Sequence, residues 1–312
     1  AQAHWDVKGR QSDELDVFLA DYIPSVTAQS AKNKAENLSK PKKFKINYSI
    51  TVKPNEVPEG EMIRVWMPYP RESKRSTNVK LLSTTNEDYI ISPDSYEHKS
   101  IYMEAIAIKD SAMKFGYELE LSIADHWFNF GADDVKPYDT ESELYKKYTA
   151  ERNTHVIFTP EIKKLTDSLI AGETNPYLKA RKIFDYITKT YPWASAREYA
   201  TLENIPSYVL KNNHGDCGQV GLTFITMARY AGIPAKWQSG FMLHPGEAGM
   251  HDWAEAYFEG IGWVPVDVSF GRVPNDMDNV AHFYLGGIDA YRYYVNEDYS
   301  GNFFPAKNHT NI

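Results

Sequence analysis

The stretch His214-Gly-Asp-Cys217-Gly-Gln-Val-Gly-Leu-Thr-Phe-Ile-Thr-Met-Ala-Arg-Tyr-Ala231-Gly-Ile-Pro234 decides the fold class. Val220, Phe224, Met227, Ala228 and Ala231 recur at intervals of three and four, which lines one face of a helix with apolar side chains and predicts that the helix faces a core. Asp216 is suited to cap its start, Gly232 to take the left-handed conformation after its end, and Pro234 stops any continuation. Cys217 therefore falls in the first turn. There the unpaired N–H groups carry a partial positive charge, which favours a thiolate. A lone cysteine is more often a small buried apolar residue than a nucleophile, so the assignment depends on what lies downstream.

Downstream, Met250-His251-Asp-Trp-Ala-Glu-Ala-Tyr-Phe258 and Gly262-Trp-Val-Pro-Val-Asp267 read as two short strands joined by Glu259-Gly260-Ile261. Three-residue loops with a glycine are common hairpin connections, and this one pairs Phe258 with Gly262. Asp267 then falls opposite Trp253, on the face of the ribbon that carries His251 and diagonal to it. A loop one residue longer would send the carboxylate to the other face. In this register Cys217, His251 and Asp267 are candidates for nucleophile, general acid/base and orienting carboxylate. Asp252 points away from His251 on the other side of the strand, and Glu255 shares the parity of His251.

Upstream, the pattern changes twice. Phe44-Lys-Ile-Asn-Tyr-Ser-Ile-Thr-Val52 alternates apolar and polar side chains as a strand does, and shorter strand-like segments lie at Ile63–Met67, Tyr89–Ile91, Ile101–Ile108 and Met113–Ile123. Turn-forming clusters such as Pro54-Asn-Glu-Val-Pro58 separate them, which predicts an immunoglobulin-like β-sandwich over residues 42–127. Ahead of it, residues 1–41 read as a helical segment and linker. From about residue 140 the apolar spacing becomes helical, with Asn175 and Pro176 opening a helix that carries Ala180, Ile183, Phe184 and Ile187. Residues 128–312 are assigned to one catalytic unit.

Taken together, Gly215-Asp216-Cys217-Gly218, the helix ending Ala231-Gly-Ile-Pro-Ala235, His251-Asp-Trp-Ala-Glu255 and Gly262-Trp-Val-Pro-Val-Asp267 resemble the core motifs of the transglutaminase-like superfamily, in the same order. The resemblance covers residues 177–271. It implies an α+β, papain-like core in which the helix bearing the cysteine packs on an antiparallel sheet. It further implies acyl transfer through a thioester on Cys217, without a cofactor. The expected enzyme is a thiol hydrolase, a cysteine peptidase or amidase acting on a peptide or protein substrate. A protein-glutamine transamidase with the same triad and a non-catalytic binding module are the alternatives. The backbone N–H of Cys217 is the first candidate oxyanion donor. Trp193, Tyr191 and Gln219 are candidates for the second, Trp193 and Tyr191 because superfamily members often supply a side chain from the region after the preceding helix.

Composition narrows the remaining classes. The 312 residues are 42% hydrophobic and carry a net charge of −8 with acids and bases interspersed, so no basic surface argues for nucleic acid. One cysteine precludes an intrachain disulfide. Ligand types for zinc are present around His214, Asp216, Cys217, His244, His251 and Asp252, but no Cys-x-x-Cys pair or His-Glu-x-x-His helix accompanies them. No apolar run reaches the roughly 18–20 residues of a membrane span. The Ala1-Gln2 start and the 22 tyrosines suggest a bacterial-type exported protein, periplasmic or extracellular. The tyrosine-rich stretch Asp289–Tyr299 is expected to complete the core sheet.

Overall fold

A computed structural model describes residues 14–30, 37–194 and 197–307. Helix α1 (Glu14–Ser30) buries Leu19, Ile23 and Val26 in the larger of two apolar cores. The rest of the expected N-terminal segment, residues 1–13 and 31–36, lies outside the described residues. Six strands follow in two antiparallel sheets. One is ordered β1 (Lys42–Val52), β6 (Met113–Ile123), β3 (Ser76–Thr84), and the other β2 (Met62–Pro68), β5 (Ser100–Ile106), β4 (Ile90–Ile91). They share a second apolar core built on Ile63, Val65, Met67, Ile101, Met103, Phe115, Leu119 and Leu121. Strand β3 has no counterpart among the sequence-predicted strands. Register shifts between Thr77 and Lys80 and between Leu81 and Ser83 break the alternation that would have marked it.

Strand β7 (His126–Trp127), which pairs with β11 (Gly287–Ile288), leads into a helical region: α2 (Glu143–Thr149), α3 (Pro160–Ile170), α4 (Pro176–Thr190), α5 (Ile205–Asn212) and α6 (Cys217–Tyr230). Asn175 caps α4 by accepting hydrogen bonds from the N–H groups of Tyr177 and Leu178, as the Asn-Pro pair implied. Helix α6 is the spine of this region, buried from Gly218 to Arg229. It packs on a sheet ordered β10 (Gly262–Val266), β9 (Glu247–Phe258), β8 (Ala235–His244), β12 (Arg292–Asn296). The chain is thus an α+β molecule with the cysteine-bearing helix on an antiparallel sheet. The tyrosine-rich segment supplies β12, the sheet's last strand.

Register shows why helix and sheet approach closely. Ala235 pairs with Ala256, and Ala256 with Val264; one step along, Trp237 pairs with Ala254, and Ala254 with Val266. These small and branched residues are fully or nearly fully buried with Val220, Leu222 and Phe224 of α6. Each buried aliphatic side chain contributes about 1.5–3 kcal/mol of transfer free energy. The next position on this helix-facing surface pairs Ser239 with Asp252. The opposite surface carries Gly240 paired with His251 and Gln238 paired with Trp253. Gly240 is required there, since a Cβ would run into the Tyr293 carbonyl of β12. Among the described residues no helix is long and apolar enough to cross a membrane.

Candidate active site

Cys217 opens α6. Asp216 caps the helix by accepting from the Gln219 N–H at 2.9 Å, and Gln219 Oε1 accepts from the Asp216 N–H at 3.3 Å. This reciprocal pair fixes the direction in which the chain enters the helix. Tyr199, on a short turn before α5, donates its hydroxyl to Asp216 Oδ1 at 2.6 Å. Gly218 lets these groups close in. A Cβ there would overlap Tyr199 Oη and lie 2.7 Å from Trp237 Cη2 and 2.8 Å from Asp252 Oδ2. The thiol itself donates to Asp252 Oδ2, with Sγ 3.5 Å from the oxygen.

The surroundings hold the resting sulfur as a thiol. Burial pushes the Cys217 pKa well above its ordinary value, and the charges of Asp252, Asp216 and Asp267 add to the rise, against a smaller opposing effect of the Asp252 main-chain N–H. A helix N-terminus offers about 0.3–1 kcal/mol, up to about 2 in favourable settings, whereas full burial can move a pKa by about 3–5 units. The helix-end stabilisation expected from sequence is present but outweighed in this arrangement.

On the other surface of the sheet, β10 pairs with β9 in the predicted register, Gly262 with Phe258 through Val266 with Ala254. Asp267 follows directly, and its Oδ2 accepts from Nε2 of His251 at 2.7 Å. Its Oδ1 accepts from the N–H groups of Ser269 and Phe270, both at 2.9 Å, so the chain's turn after β10 aims the carboxylate. Arg292 of β12 donates to the same Oδ2 and lies 3.2 Å from Asp289 Oδ2. Its guanidinium sits over the rings of Phe270 at 3.7 Å and Tyr284 at 4.7 Å, wholly buried. Asp289 in turn meets His244 Nε2 at 3.0 Å and accepts from Tyr284 at 3.0 Å.

Burial would raise the pKa of Asp267, but the charges of His251 and Arg292 outweigh it and hold the carboxyl far below the usual range. For His251, burial lowers the pKa, Asp267 raises it, and Arg292 and His244 lower it again, with a net fall. The imidazole is therefore neutral near pH 7. Because a carboxylate faces Nε2, that nitrogen carries the proton, and Nδ1 presents its lone pair, the form a general base needs.

His251 and Asp267 are joined directly. Cys217 and His251 are not hydrogen-bonded to each other: the thiol lies with Asp252 on the helix-facing surface of the sheet, and the imidazole lies with Asp267 on the opposite one. The groups still act on one another electrostatically: the charge of Asp267 raises the thiol pKa and that of His251 lowers the Asp216 pKa. Gln219 has both ends of its amide engaged, Oε1 in the cap and Nε2 donating to the Arg197 carbonyl at 3.4 Å. Tyr191 is buried against Tyr186. Trp193 is 43% exposed and pairs as a parallel bridge with Gly215, two residues before Cys217.

Three further histidines have structural partners: His214 with the Asn212 carbonyl and Tyr208, His282 with Asp185, and His244 with Asp289. Glu255 pairs with Lys236 at 3.0 Å. Two residues of the site have no catalytic role in the sequence reading. Strand parity points Asp252 away from His251. Arg292 had one available signal: a strand carboxylate as buried as Asp267 needs a cation, and Arg292 is the arginine in the expected sheet-completing segment.

Residues 163–268 match the family model of the transglutaminase-like superfamily. An uncharacterized protein of Haemophilus influenzae is 24% identical over 253 residues; the match covers 68% of this chain and 65% of that protein's length. A crystal structure of a "Putative Cysteine Protease" from Cytophaga hutchinsonii aligns over 74% of this chain and 78% of that one, at 16% identity and a TM-score of 0.59, a likeness of fold. The periplasmic domain of TgpA from Pseudomonas aeruginosa aligns over 75% of this chain and 72% of that one, at 13% identity and a TM-score of 0.38. Cys217, His251 and Asp267 all lie within the segment, residues 163–268, that is similar to the transglutaminase-like superfamily.

Proposed function

We propose that the protein is a thiol acyl-transfer enzyme that cleaves an amide or peptide bond, with Cys217 as nucleophile, His251 as general acid/base and Asp267 as the carboxylate that orients it. The observation that carries this is the 2.7 Å bond between His251 Nε2 and Asp267 in a family-matched segment, which leaves Nδ1 of a neutral imidazole as the base. In the first step, which requires a side-chain movement that brings Sγ from Asp252 to Nδ1, the thiol proton passes to the imidazole as sulfur attacks the carbonyl carbon. The C–N bond then breaks, and the imidazolium returns the proton to the departing amine. Water, deprotonated by the same nitrogen, attacks the thioester and releases the acid and the thiol. The Cys217 N–H at the helix start and the Trp193 indole are the proposed oxyanion donors, Trp193 because its bridge to Gly215 places its backbone beside the start of the helix.

The Cytophaga protein, similar in fold, carries a cysteine protease name, which favours water over an amine as the second acceptor. The two apolar cores support a sandwich at 42–127 and a catalytic unit at 128–312, with the helix of the proposed 1–41 segment packed into the core of the catalytic unit. Incubation with a peptide library, with and without a primary amine, read by mass spectrometry, tests the activity. Products that gain water and vanish in Cys217→Ala are expected; products that gain the amine would make the enzyme a transamidase. No product from a folded protein, with Cys217 alkylated at the rate of a free thiol and unaffected by His251→Ala, would reduce it to a binding module.

A further inference from the structure

We infer that Asp252 is a positioning residue for the nucleophile: its carboxyl holds the resting Cys217 thiol against the helix-facing surface of the sheet and sets how readily the sulfur gives up its proton. The inference deepens the proposed activity, on which its relevance to turnover rests, but the contact exists whether or not the protein turns a substrate over.

Three observations carry it. Asp252 Oδ2 accepts the thiol hydrogen, with 3.5 Å between the heavy atoms. The contact is shaped on both sides: Asp252 is fixed in mid-strand opposite Ser239, and residue 218 is a glycine where any Cβ would lie 2.8 Å from that same oxygen. Lastly, Asp252 is uncompensated. Among the described residues it forms no ion pair and receives one side-chain hydrogen bond, from the thiol. The hydroxyl of Tyr199, which is close enough to feel its charge, is given to Asp216 instead.

An S–H group is a weak donor, so this contact does little for the stability of the fold. Its force lies in charge. An ionised carboxylate at this distance opposes a second negative charge on sulfur, which lengthens the life of the thiol and delays its transfer to His251. The groups that face Asp252 are Cys217 and Asp216 at the start of α6, Tyr199 on the preceding turn and Asp267 beyond β10, with uncharged Trp237 from β8. Apart from Tyr199, every titratable neighbour in that set is a carboxyl or the thiol. Burial, with the charges of Asp216 and Asp267, pushes the Asp252 carboxyl up to about 7, while the thiol's hydrogen bond lowers it. The carboxyl therefore changes charge in the neutral range, coupled to a thiol that burial and the surrounding carboxylates push well above its ordinary value.

Because Cys217 is the single cysteine, alkylation by iodoacetamide as a function of pH reads this thiol alone. Asp252→Asn keeps the shape and removes the charge, and Asp252→Ala removes both charge and contact. Each is expected to move the alkylation profile toward acid by a unit or more, so that labelling near pH 8 quickens about tenfold, one pKa unit being a factor of ten. Profiles that coincide with the parent's in the folded variants would overturn the inference. Should both variants fail to fold, the parent serves: a profile with two inflections, one near 7, supports the coupled pair, and a one-proton curve at the pKa of a free thiol refutes it. Failure of the enzymatic proposal reads differently, as loss of the His251→Ala effect on labelling with the Asp252 effect intact.

Discussion

Strand β9 places two carboxylate environments back to back. On one surface His251 leads to Asp267, which receives an imidazole, a guanidinium and two main-chain N–H groups; on the other Asp252 receives a thiol alone. Both carboxyls are largely removed from water, yet one is driven down in pKa and the other up. Burial is therefore not what distinguishes them. The count of donors is, and on the acyl-transfer proposal it fits two tasks: Asp267 must stay ionised to orient a base and stabilise its cation, whereas Asp252 bears on a sulfur that becomes an anion.

The sharpest way to break the contrast is to remove the charge that orients His251. Asp267→Asn keeps the size of the side chain but offers Nε2 an amide that can rotate to present N–H, which favours the tautomer with the proton on Nδ1. On the acyl-transfer proposal kcat/KM is expected to fall by about 10⁴-fold, equivalent to about 5 kcal/mol. The melting temperature, taken in parallel, separates this from unfolding. A loss of less than tenfold in a folded variant would leave Asp267 as a packing group.

Next in size is the buried cation. Arg292→Met removes the charge shared by Asp267 and Asp289, with no water able to replace it. Breaking a buried pair by deleting one partner costs about 3–5 kcal/mol, to be measured by urea denaturation at pH 7. Asp252→Asn, which leaves no charge orphaned, is expected to cost nothing at the same pH. Equal losses in the two variants would erase the distinction between the surfaces.

How far the sequence discloses this arrangement depends on the range of each interaction. The cap at Asp216, the helix from Cys217 and the three-residue loop that brings Asp267 to His251 are local, each written in a few adjacent residues, and all are found where expected. The thiol's partner is not local. Parity correctly sends Asp252 to the surface opposite His251, but nothing in the strand says that the N-terminus of α6 docks on that surface. Arg292 reaches Asp267 from a strand at the far edge of the sheet, beyond the family-matched residues. Strand β3 escaped because its bulges disrupt the period on which strand recognition rests.

The smallest expected effect is the most specific to the contrast, because the two carboxyls should give stability opposite pH dependences. Asp267 is depressed in the fold, so its contribution is complete above the unfolded value near 4 and is lost as pH falls through the folded one. Asp252 is raised to about 7, so the folded protein binds its proton more tightly than the unfolded chain does, and stability is lost as pH rises from about 4 to about 7. Asp252→Asn removes that loss. Its melting temperature should match the parent's relative stability near pH 5 and exceed it near pH 8. Because the carboxyl is coupled to the thiol, the gain is set at about 1–2 kcal/mol, a few degrees in a chain of this size. Calorimetry at the two pH values decides it. A pH-independent difference would mean that Asp252 titrates in the fold as it does in the open chain, and the two surfaces of β9 would then differ in hydrogen bonding but not in charge.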